Sequence, residues 1–420
     1  MSNKLQNADK KTLFNTIMLY VLAIAKIIFP LLTLPFLTRT LSVACYGAIS
    51  YVKSITTYAQ AIIDFGFIFS SVKDIVKAQN KDKVSGIVGD TILAKLLLSI
   101  AAFVLIIVIS VTVPIIQNYK LLLFLSFVPP LLSAFLLDFF FRGIEKMHIV
   151  SLVFVSMKTI STVLTISLVR NDSQVLLVPL FDIISSVVAI LLSWFIFVKL
   201  GYKIKCGGIK KAVKKIKESC FYFTNSVASS AFGALNTAVI GMCIEDLEQI
   251  AFWSVSMQLV GAVQTMYTPL SNGIYPYMIK SKNLTVIKKI LLVFVPLVIC
   301  GTVLAGILSP VLLTIVSGEK YRGASVIFNC LLPVLVFSFP VAILGWPTLG
   351  CIDKVKEINI STITGAFVQI IGLAVLLVCG QFYIINIAIL RNISEITMCM
   401  ILVGFTVKYR TLFKKAAEVE

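Results

Sequence analysis

Long apolar runs alternate with short basic connections along almost the whole chain. A membrane-spanning helix needs about 20 mostly apolar residues, and by that measure the sequence predicts twelve spans, six on each side of the midpoint. They cover 13–38, 44–69, 87–113, 119–141, 149–169, 174–198, 220–244, 247–279, 289–316, 322–350, 358–379 and 382–407. We therefore predict an all-α polytopic membrane protein.

A lysine-rich stretch interrupts this pattern at the midpoint of the chain. Residues 199–219 carry eight lysines. Apolar residues recur among them at helical spacing, namely Ile209, Val213 and Ile216. This spacing is typical of a helix that lies on an anionic membrane surface, and a plain orientation signal is the alternative. We predict that 199–219 is a cytoplasmic basic connector between an N-terminal six-helix lobe, 1–198, and a C-terminal six-helix lobe with its tail, 220–420.

Lys and Arg are divided unevenly between alternate connections. Of the 37 basic residues, 27 fall on the side that carries both chain ends and the connector, against five on the other side. Because cytoplasmic loops are enriched in basic residues, we predict that both termini are cytoplasmic. The net charge of +18 sits in these short loops rather than on a soluble basic face, so no nucleic acid is expected as a partner. With 59% hydrophobic and 13% charged residues, the chain could not coat a soluble globule.

A weak internal repeat supports the division into halves. YGAISYVKS from Tyr46 matches IAFWSVSMQ from Ile250 at an offset of 204 residues, and IEKM at Ile144 recurs as IDKV at Ile352 at an offset of 208. With six spans each, the halves point the same way. We expect them to be related by an axis along the membrane normal and to surround a central cavity.

Five basic residues fall inside predicted spans: Lys26, Lys53, Lys95, Lys158 and Arg391. A basic residue at mid-bilayer costs about 2.5 to 3.5 kcal/mol, so these side chains are expected to face protein or water. A cavity lined by lysines attracts anions, and phosphate or diphosphate is the class that fits best. All five are candidate substrate-binding residues, although Arg391 could instead pair with Glu395 one turn away.

The second predicted span has one polar face. It comprises Tyr46, Ser50, Lys53, Thr57, Gln60 and Asp64, which are spaced three or four residues apart. At 1.5 Å per residue the face is about 27 Å long, nearly the hydrocarbon thickness. We predict that it lines an aqueous cavity, with Asp64, Gln60 and Thr57 in ion coupling or as polar cavity groups. The alternative is a packing face on which Lys53 and Asp64 pair with neighbours.

The sequence indicates no catalytic or metal-binding chemistry. The nine cysteines lie singly and form no cluster with His148, the only histidine, so no metal site, disulfide framework or cofactor is expected. No predicted outward loop exceeds about ten residues, which leaves little room for a catalytic site. We predict that the protein is not an enzyme.

Five stretches spread over the chain carry a family resemblance. They are PLLTLPFLTRTLS from Pro30, DFGF from Asp64, DFFFRGIEKM from Asp138, TPLSNGIYPYM from Thr268 and GEKYRGAS from Gly318. They resemble the Wzx-type polysaccharide flippases of the multidrug/oligosaccharidyl-lipid/polysaccharide exporter superfamily.

The resemblance implies a two-lobed, V-shaped bundle in the bacterial plasma membrane. It implies movement of an undecaprenyl-diphosphate-linked oligosaccharide repeat unit to the outer leaflet by alternating access, coupled to a gradient of protons or sodium ions. The implied partners are that lipid-linked oligosaccharide, the coupling ion and membrane lipids, with a polysaccharide polymerase as a candidate partner. Two alternatives are a multidrug or cation antiporter of the same superfamily and a membrane enzyme of polysaccharide synthesis.

Overall fold

Helices form almost all of the described chain. The computed structural model describes the backbone of residues 2–417, and the side chains of those residues except 2–13, 16, 221, 224–231 and 414–417. Within this part of the chain there is no β-strand. The chain divides into two compact units, Met1–Val227 and Ala228–Glu420, which we describe separately.

The first unit is built around long helices that pack in neighbouring pairs. In chain order these are α1 Ser2–Thr40, α2 Val43–Asp64, α3 Phe67–Lys77, α4 Lys81–Thr112, α5 Pro114–Gln117, α6 Lys120–Leu132, α7 Asp138–Gly143, α8 Met147–Leu168, α9 Leu177–Lys199 and α10 Ile209–Ser230, the last of which runs on into the second unit. Helix α8 packs against α1 and α9, and α2 packs against α4 and α6. Ser42 and Asn80 cap the starts of α2 and α4, because their side-chain oxygens accept backbone N–H groups of the first turn.

The second unit has the same kind of construction. Its helices are α11 Asn236–Cys243, α12 Leu247–Ser281, α13 Leu284–Ile307, α14 Ser309–Ser317, α15 Ser325–Leu331, α16 Pro333–Ile343, α17 Val355–Val378, α18 Ile384–Lys408 and α19 Arg410–Ala417. Helix α18 packs against α16 and α17, and α16 also packs against α12 and α13. The core contains Tyr267 and Phe339, whose rings meet edge to face with centroids 5.2 Å apart.

Ten helical segments in the described part of the chain are long and apolar enough to cross a membrane. They are Ile17–Thr40, Val43–Lys77, Lys81–Thr112, Lys120–Gly143, Met147–Leu168, Asp172–Lys199, Leu284–Ile307, Pro333–Ile352, Val355–Val378 and Ile384–Lys408. The other two predicted spans, 220–244 and 247–279, are also largely helical. The prediction of an all-α polytopic fold is confirmed, and the count of twelve spans and the side of the termini stay predictions.

The predicted span 44–69 is broken at the DFGF sequence. Phe65 and Gly66 both adopt left-handed φ angles, 38° and 74°, and they separate α2 from α3. A Cβ atom at Gly66 would lie 2.6 Å from Cβ of Tyr222 on α10. Glycine is therefore needed here both for the backbone conformation and for the close approach of α10.

The predicted span 322–350 is also broken. It is divided among α15, α16 and the segment Leu344–Leu349, in which Gly345 has a non-helical ψ of −108°. Pro347 follows two residues later and lacks the N–H group that a regular helix would use.

The internal repeat coincides with matched backbone turns. Glu145 and Asp353, which hold equivalent places in IEKM and IDKV, both have left-handed φ angles, 57° and 60°. In both turns the N–H of the following lysine donates to the carbonyl five residues earlier, at 2.8 and 3.0 Å. Ser42 and Asp246, which are related by the offset of 204 residues, both cap a helix start through their side-chain oxygens. These four positions support the repeat that the sequence predicts.

The coil of the basic connector, 201–208, packs along the start of α4. The backbone N–H of Gly207 donates to Asp90 Oδ1 at 2.7 Å, and Lys205 Nζ lies 3.0 Å from Asp82 Oδ1. A Cβ atom at Gly89 would collide with the carbonyl oxygen of Lys205, so glycine allows this approach. The connector is therefore held to the first unit by ion pairing and hydrogen bonding.

One face of α10 is buried against the first unit. Ala212 packs with Phe67 and Ala94, and Lys215 Nζ lies 3.1 Å from Asp74 Oδ2. Ile216, which we predicted to face the membrane surface, is partly buried against the same cluster, whereas Ile209 and Val213 are exposed. The prediction that Ile216 faces the membrane surface is therefore wrong, because this side of α10 packs against Phe67 and Ala94.

Candidate functional site

The polar face of α2 has two parts with different surroundings. In its middle, Lys53 and Thr57 are exposed, and Thr57 Oγ1 donates to the carbonyl oxygen of Lys53 at 2.7 Å. At its carboxyl end, Gln60 and Asp64 contact neighbouring helices. Along the helix axis Lys53 and Asp64 are about 16 Å apart, so the two parts lie at different depths of the same span.

The Asp64 cluster consists of Gln60, Asp64, Lys95, Ser133 and Asp138. Lys95 Nζ donates to Asp64 Oδ1 at 2.8 Å and to the carbonyl of Ser133 at 3.4 Å. Gln60 Nε2 donates to Asp64 Oδ2 at 2.6 Å and to Ser133 Oγ at 2.7 Å. These residues line a cavity of about 160 Å³. Lys95 is buried while the Asp64 side chain keeps 46% of its surface exposed, so the carboxylate is open to the cavity and its partner is not.

The Lys158 cluster consists of Lys53, Lys158, Ser161 and Asp182. Lys158 Nζ lies 3.9 Å from Asp182 Oδ1, and Ser161 Oγ donates to the same oxygen at 2.6 Å. Lys53 interacts electrostatically with both Lys158 and Asp182. Helices α2, α8 and α9 supply these side chains. Two ammonium groups therefore lie near one carboxylate, and of the two only Lys158 is within ion-pair distance of it.

Lys26 on α1 adds a further cation to the first unit, and it interacts electrostatically with Asp138 of the Asp64 cluster. Its Nζ lies 5.8 Å above the ring of Phe154, which is one helical turn before Lys158 on α8. Among the described residues, neither Lys26 nor Lys53 has a carboxylate within ion-pair distance. Because an ammonium group without an ion-pair partner is costly inside a membrane span, the surroundings of Lys53 favour an anion.

Arg391 lies in the second unit and is paired. Its Nη1 is 2.6 Å from Glu395 Oε2, both side chains are 5% exposed, and the guanidinium lies 4.8 Å from the ring centre of Phe232. The alternative in which Arg391 pairs with Glu395 is therefore confirmed. Its substrate contact stays a prediction. Its Nε and Nη1 atoms have no hydrogen-bond partner among the described residues, so the short contact with Glu395 is an ion pair without hydrogen-bond geometry.

Polar side chains on α4 and α8 are mostly used in packing. Thr91 and Ser99, which share a face of α4 with Lys95, are buried, and Thr91 Oγ1 is 3.0 Å from Ser71 Oγ. On α8, Ser151 Oγ donates to the carbonyl of Met18 on α1 at 2.6 Å. Small hydroxyl groups at these places let helices pack closely while they stay hydrogen-bonded.

Two carboxylates of these clusters were missed in the sequence analysis. Asp182 is an acid inside the apolar run 174–198. A carboxylate in a membrane span usually pairs with a cation, so its position predicts a basic neighbour. Asp138 lines the cavity of the Asp64 cluster, and its Oδ2 lies 3.5 Å from Nη2 of Arg142. It belongs to the DFFFRGIEKM stretch, which carries the family resemblance. Within the described residues, no group of three or more His, Cys, Asp or Glu side chains could hold a metal ion.

Comparison with known proteins identifies the family. The family described as "Polysaccharide biosynthesis protein" matches residues 12–282. The chain belongs to this family. The match agrees with the resemblance found in the sequence, and with its apolar helices the chain is a multi-pass bacterial membrane protein.

Two relatives are similar to this chain over most of its length. A protein of Shigella dysenteriae named "Putative O-antigen transporter" is 23% identical over 313 residues, which cover 73% of this chain and 78% of that protein. A protein of the same name from Escherichia coli K12 is 23% identical over 76% of this chain and 79% of its own length.

Two solved structures share the fold at low sequence identity. The lipid II flippase MurJ aligns with a TM-score of 0.67 at 14% identity, over 96% of this chain and 90% of that one. A multidrug resistance MATE family transporter of the MOP superfamily aligns with a TM-score of 0.66 at 14% identity, over 92% and 96%. These likenesses confirm the all-α polytopic membrane fold.

Proposed function

We propose that this protein is a flippase for a lipid-linked oligosaccharide, with undecaprenyl diphosphate as the lipid carrier. It moves the repeat unit from the inner to the outer leaflet of the plasma membrane for surface polysaccharide synthesis, where a polymerase would receive it. The names of the two O-antigen transporters support this class. The observation that carries the proposal is the surplus of cations around Asp182 in the first unit.

In this proposal the Lys158 cluster binds the diphosphate. Lys53 is exposed, and its ammonium can contact phosphate oxygens without first breaking an ion pair with a described residue. The Lys158–Asp182 pair at 3.9 Å is longer than the Lys95–Asp64 pair at 2.8 Å and therefore weaker. A diphosphate, which carries more than one negative charge, can draw Lys158 away from Asp182. When the substrate leaves, Asp182 takes Lys158 back and resets the site.

A multidrug or cation antiporter fits the first unit less well. Its substrate would have to approach Lys26 and Lys53, which repel cations. The likeness to the MATE transporter is a likeness of fold and does not favour that substrate class. A membrane enzyme of polysaccharide synthesis would need a catalytic group in contact with substrate, and the Lys158 cluster offers an anion site rather than such a group.

Coupling to a proton or sodium gradient is assigned to Asp64 in this proposal. Its carboxylate faces the cavity of the Asp64 cluster and can exchange Lys95 for an external cation. We expect Asp64→Asn to remove the pH or sodium dependence of transport in reconstituted vesicles. Asp138→Asn removes a carboxylate that lines the same cavity and is the matched control, which should keep the dependence. Unchanged dependence in Asp64→Asn, at equal protein level, would make Asp64 structural.

The proposed function is tested in cells by deletion and complementation. A strain that lacks the gene should lose surface polysaccharide and accumulate the lipid-linked repeat unit on the cytoplasmic side of the membrane. Expression of this chain should reverse both effects. Normal surface polysaccharide in the deletion strain, in the absence of a second transporter gene, would refute the proposal.

A further inference from the structure

A groove on the second unit is formed by two helix faces that share one spacing. Four residues of α13 line one wall, namely Leu284, Ile287, Lys288 and Leu291. Four residues of α18 and the start of α19 line the other, namely Val403, Thr406, Val407 and Arg410. Within each set the residues follow steps of three, one and three. The α13 set lies on one helical face, as do Val403, Thr406 and Val407 of α18. Arg410 follows beyond the turn at Tyr409. The two faces enclose a cavity of about 260 Å³.

The floor of the groove comes from the broken part of the predicted span 322–350. Leu344, which is buried, lines the groove next to the non-helical Gly345. The hydroxyl of Thr406 donates to the carbonyl of Leu402 at 2.8 Å, so it does not need an acceptor on a ligand. Apart from its two cations, the groove is therefore lined by apolar groups and by a satisfied hydroxyl, as a hydrocarbon chain requires.

The two cations sit at the same end of the groove. Lys288 lies in the second turn of α13, and Arg410 is the first residue of α19, two positions after the end of α18. Both are exposed, and by the predicted orientation both lie at the cytoplasmic end. Between Leu284 and Ile307, little of α13 is covered by protein, and Leu292 and Val293 beyond the groove are exposed. The groove thus opens on a surface that meets lipid.

We propose that this groove binds an anionic phospholipid of the surrounding membrane, with one acyl chain between α13 and α18 and the headgroup phosphate on Lys288 and Arg410. The arginine fork and the lysine ammonium suit a phosphate ester, and the apolar walls suit the acyl chain. A volume of about 260 Å³ is near the lower end of ligand cavities, which run from about 300 Å³ upwards, and it fits part of a single chain. The site is separate from the Lys158 cluster and does not depend on the proposed transport function.

The test is lipid retention by the purified full-length protein, measured by native mass spectrometry with phosphatidylglycerol and with phosphatidylcholine. The wild-type protein should retain phosphatidylglycerol preferentially. The double variant Lys288→Gln/Arg410→Gln should bind phosphatidylglycerol about ten- to thirtyfold more weakly. Each basic residue near an anionic lipid surface is expected to strengthen binding about three- to fivefold, and the variant lacks two. Its affinity for phosphatidylcholine should change little.

The control is Lys289→Gln/Lys408→Gln, which removes the same charge from neighbouring residues that do not line the groove. It should retain phosphatidylglycerol like the wild type. Val407→Trp fills the groove and should weaken retention of phosphatidylglycerol although both cations remain. Equal losses in the two double variants, equal retention of both lipids by the wild type, or full retention in Val407→Trp would each overturn the proposal.

Discussion

Lys53→Ala should strongly lower transport of the lipid-linked oligosaccharide while the protein still reaches the membrane. Lys53 is the exposed cation of the Lys158 cluster, and its partner would be the substrate diphosphate. A hydrogen bond to a charged group contributes about 1.5 to 3 kcal/mol, so loss of the ammonium should lower transport about ten- to a hundredfold. Surface polysaccharide display in complemented cells measures the effect.

Two further variants separate the charge of Lys53 from its position. Lys53→Arg keeps a cation that can bind phosphate and should retain much of the activity. Lys217→Ala removes an exposed lysine of α10, outside both clusters, and should behave like the wild type. Full display by Lys53→Ala cells, at equal protein level, would show that Lys53 does not contact the substrate.

Arg391→Ala should destabilise the protein by about 3 to 5 kcal/mol, because it leaves the buried carboxylate of Glu395 without its cation. The measurement is thermal melting of the purified protein together with its level in the membrane. Arg391→Leu/Glu395→Leu removes both charges and should recover most of the lost stability, since a buried ion pair can often be replaced by apolar groups.

The same pair of variants decides between the two interpretations of Arg391. If the arginine only holds Glu395, the double variant should transport nearly as well as the wild type. If it contacts the substrate, transport should stay low although stability is recovered. Equal stability of Arg391→Ala and the wild-type protein would contradict the structural interpretation.

Much of the fold could be predicted from the sequence because hydrophobic length and local turn chemistry are local properties. Every predicted span falls largely on helical residues, and the turns at Glu145 and Asp353 match as the repeat suggested. The break at Gly66 was not predicted. A glycine in an apolar run fits a continuous helix equally well, and only the approach of Tyr222 to Gly66 shows why that helix stops.

The site was only partly predictable, since partners on different helices leave no spacing to detect. The polar face of α2 was visible as a pattern, and Lys53, Gln60 and Asp64 followed from it. Sequence alone could not pair Asp64 with Lys95, which is 31 residues away, or place Asp182 beside Lys158. The same holds for the connector. In the sequence Lys215 cannot be told apart from the other seven lysines of 199–219, and only the structure shows its ion pair with Asp74.

The most direct test of the central claim is transbilayer movement of a lipid-linked oligosaccharide in vesicles that contain only this purified protein. The wild-type protein should move the diphosphate-linked lipid to the opposite leaflet, and Lys53→Ala should not. An otherwise identical lipid with an uncharged linkage should not be moved by either protein, because it offers nothing for the cations to bind. Equal rates for the charged and uncharged lipids, or no movement of the diphosphate-linked lipid under an ion gradient of either kind, would contradict the account.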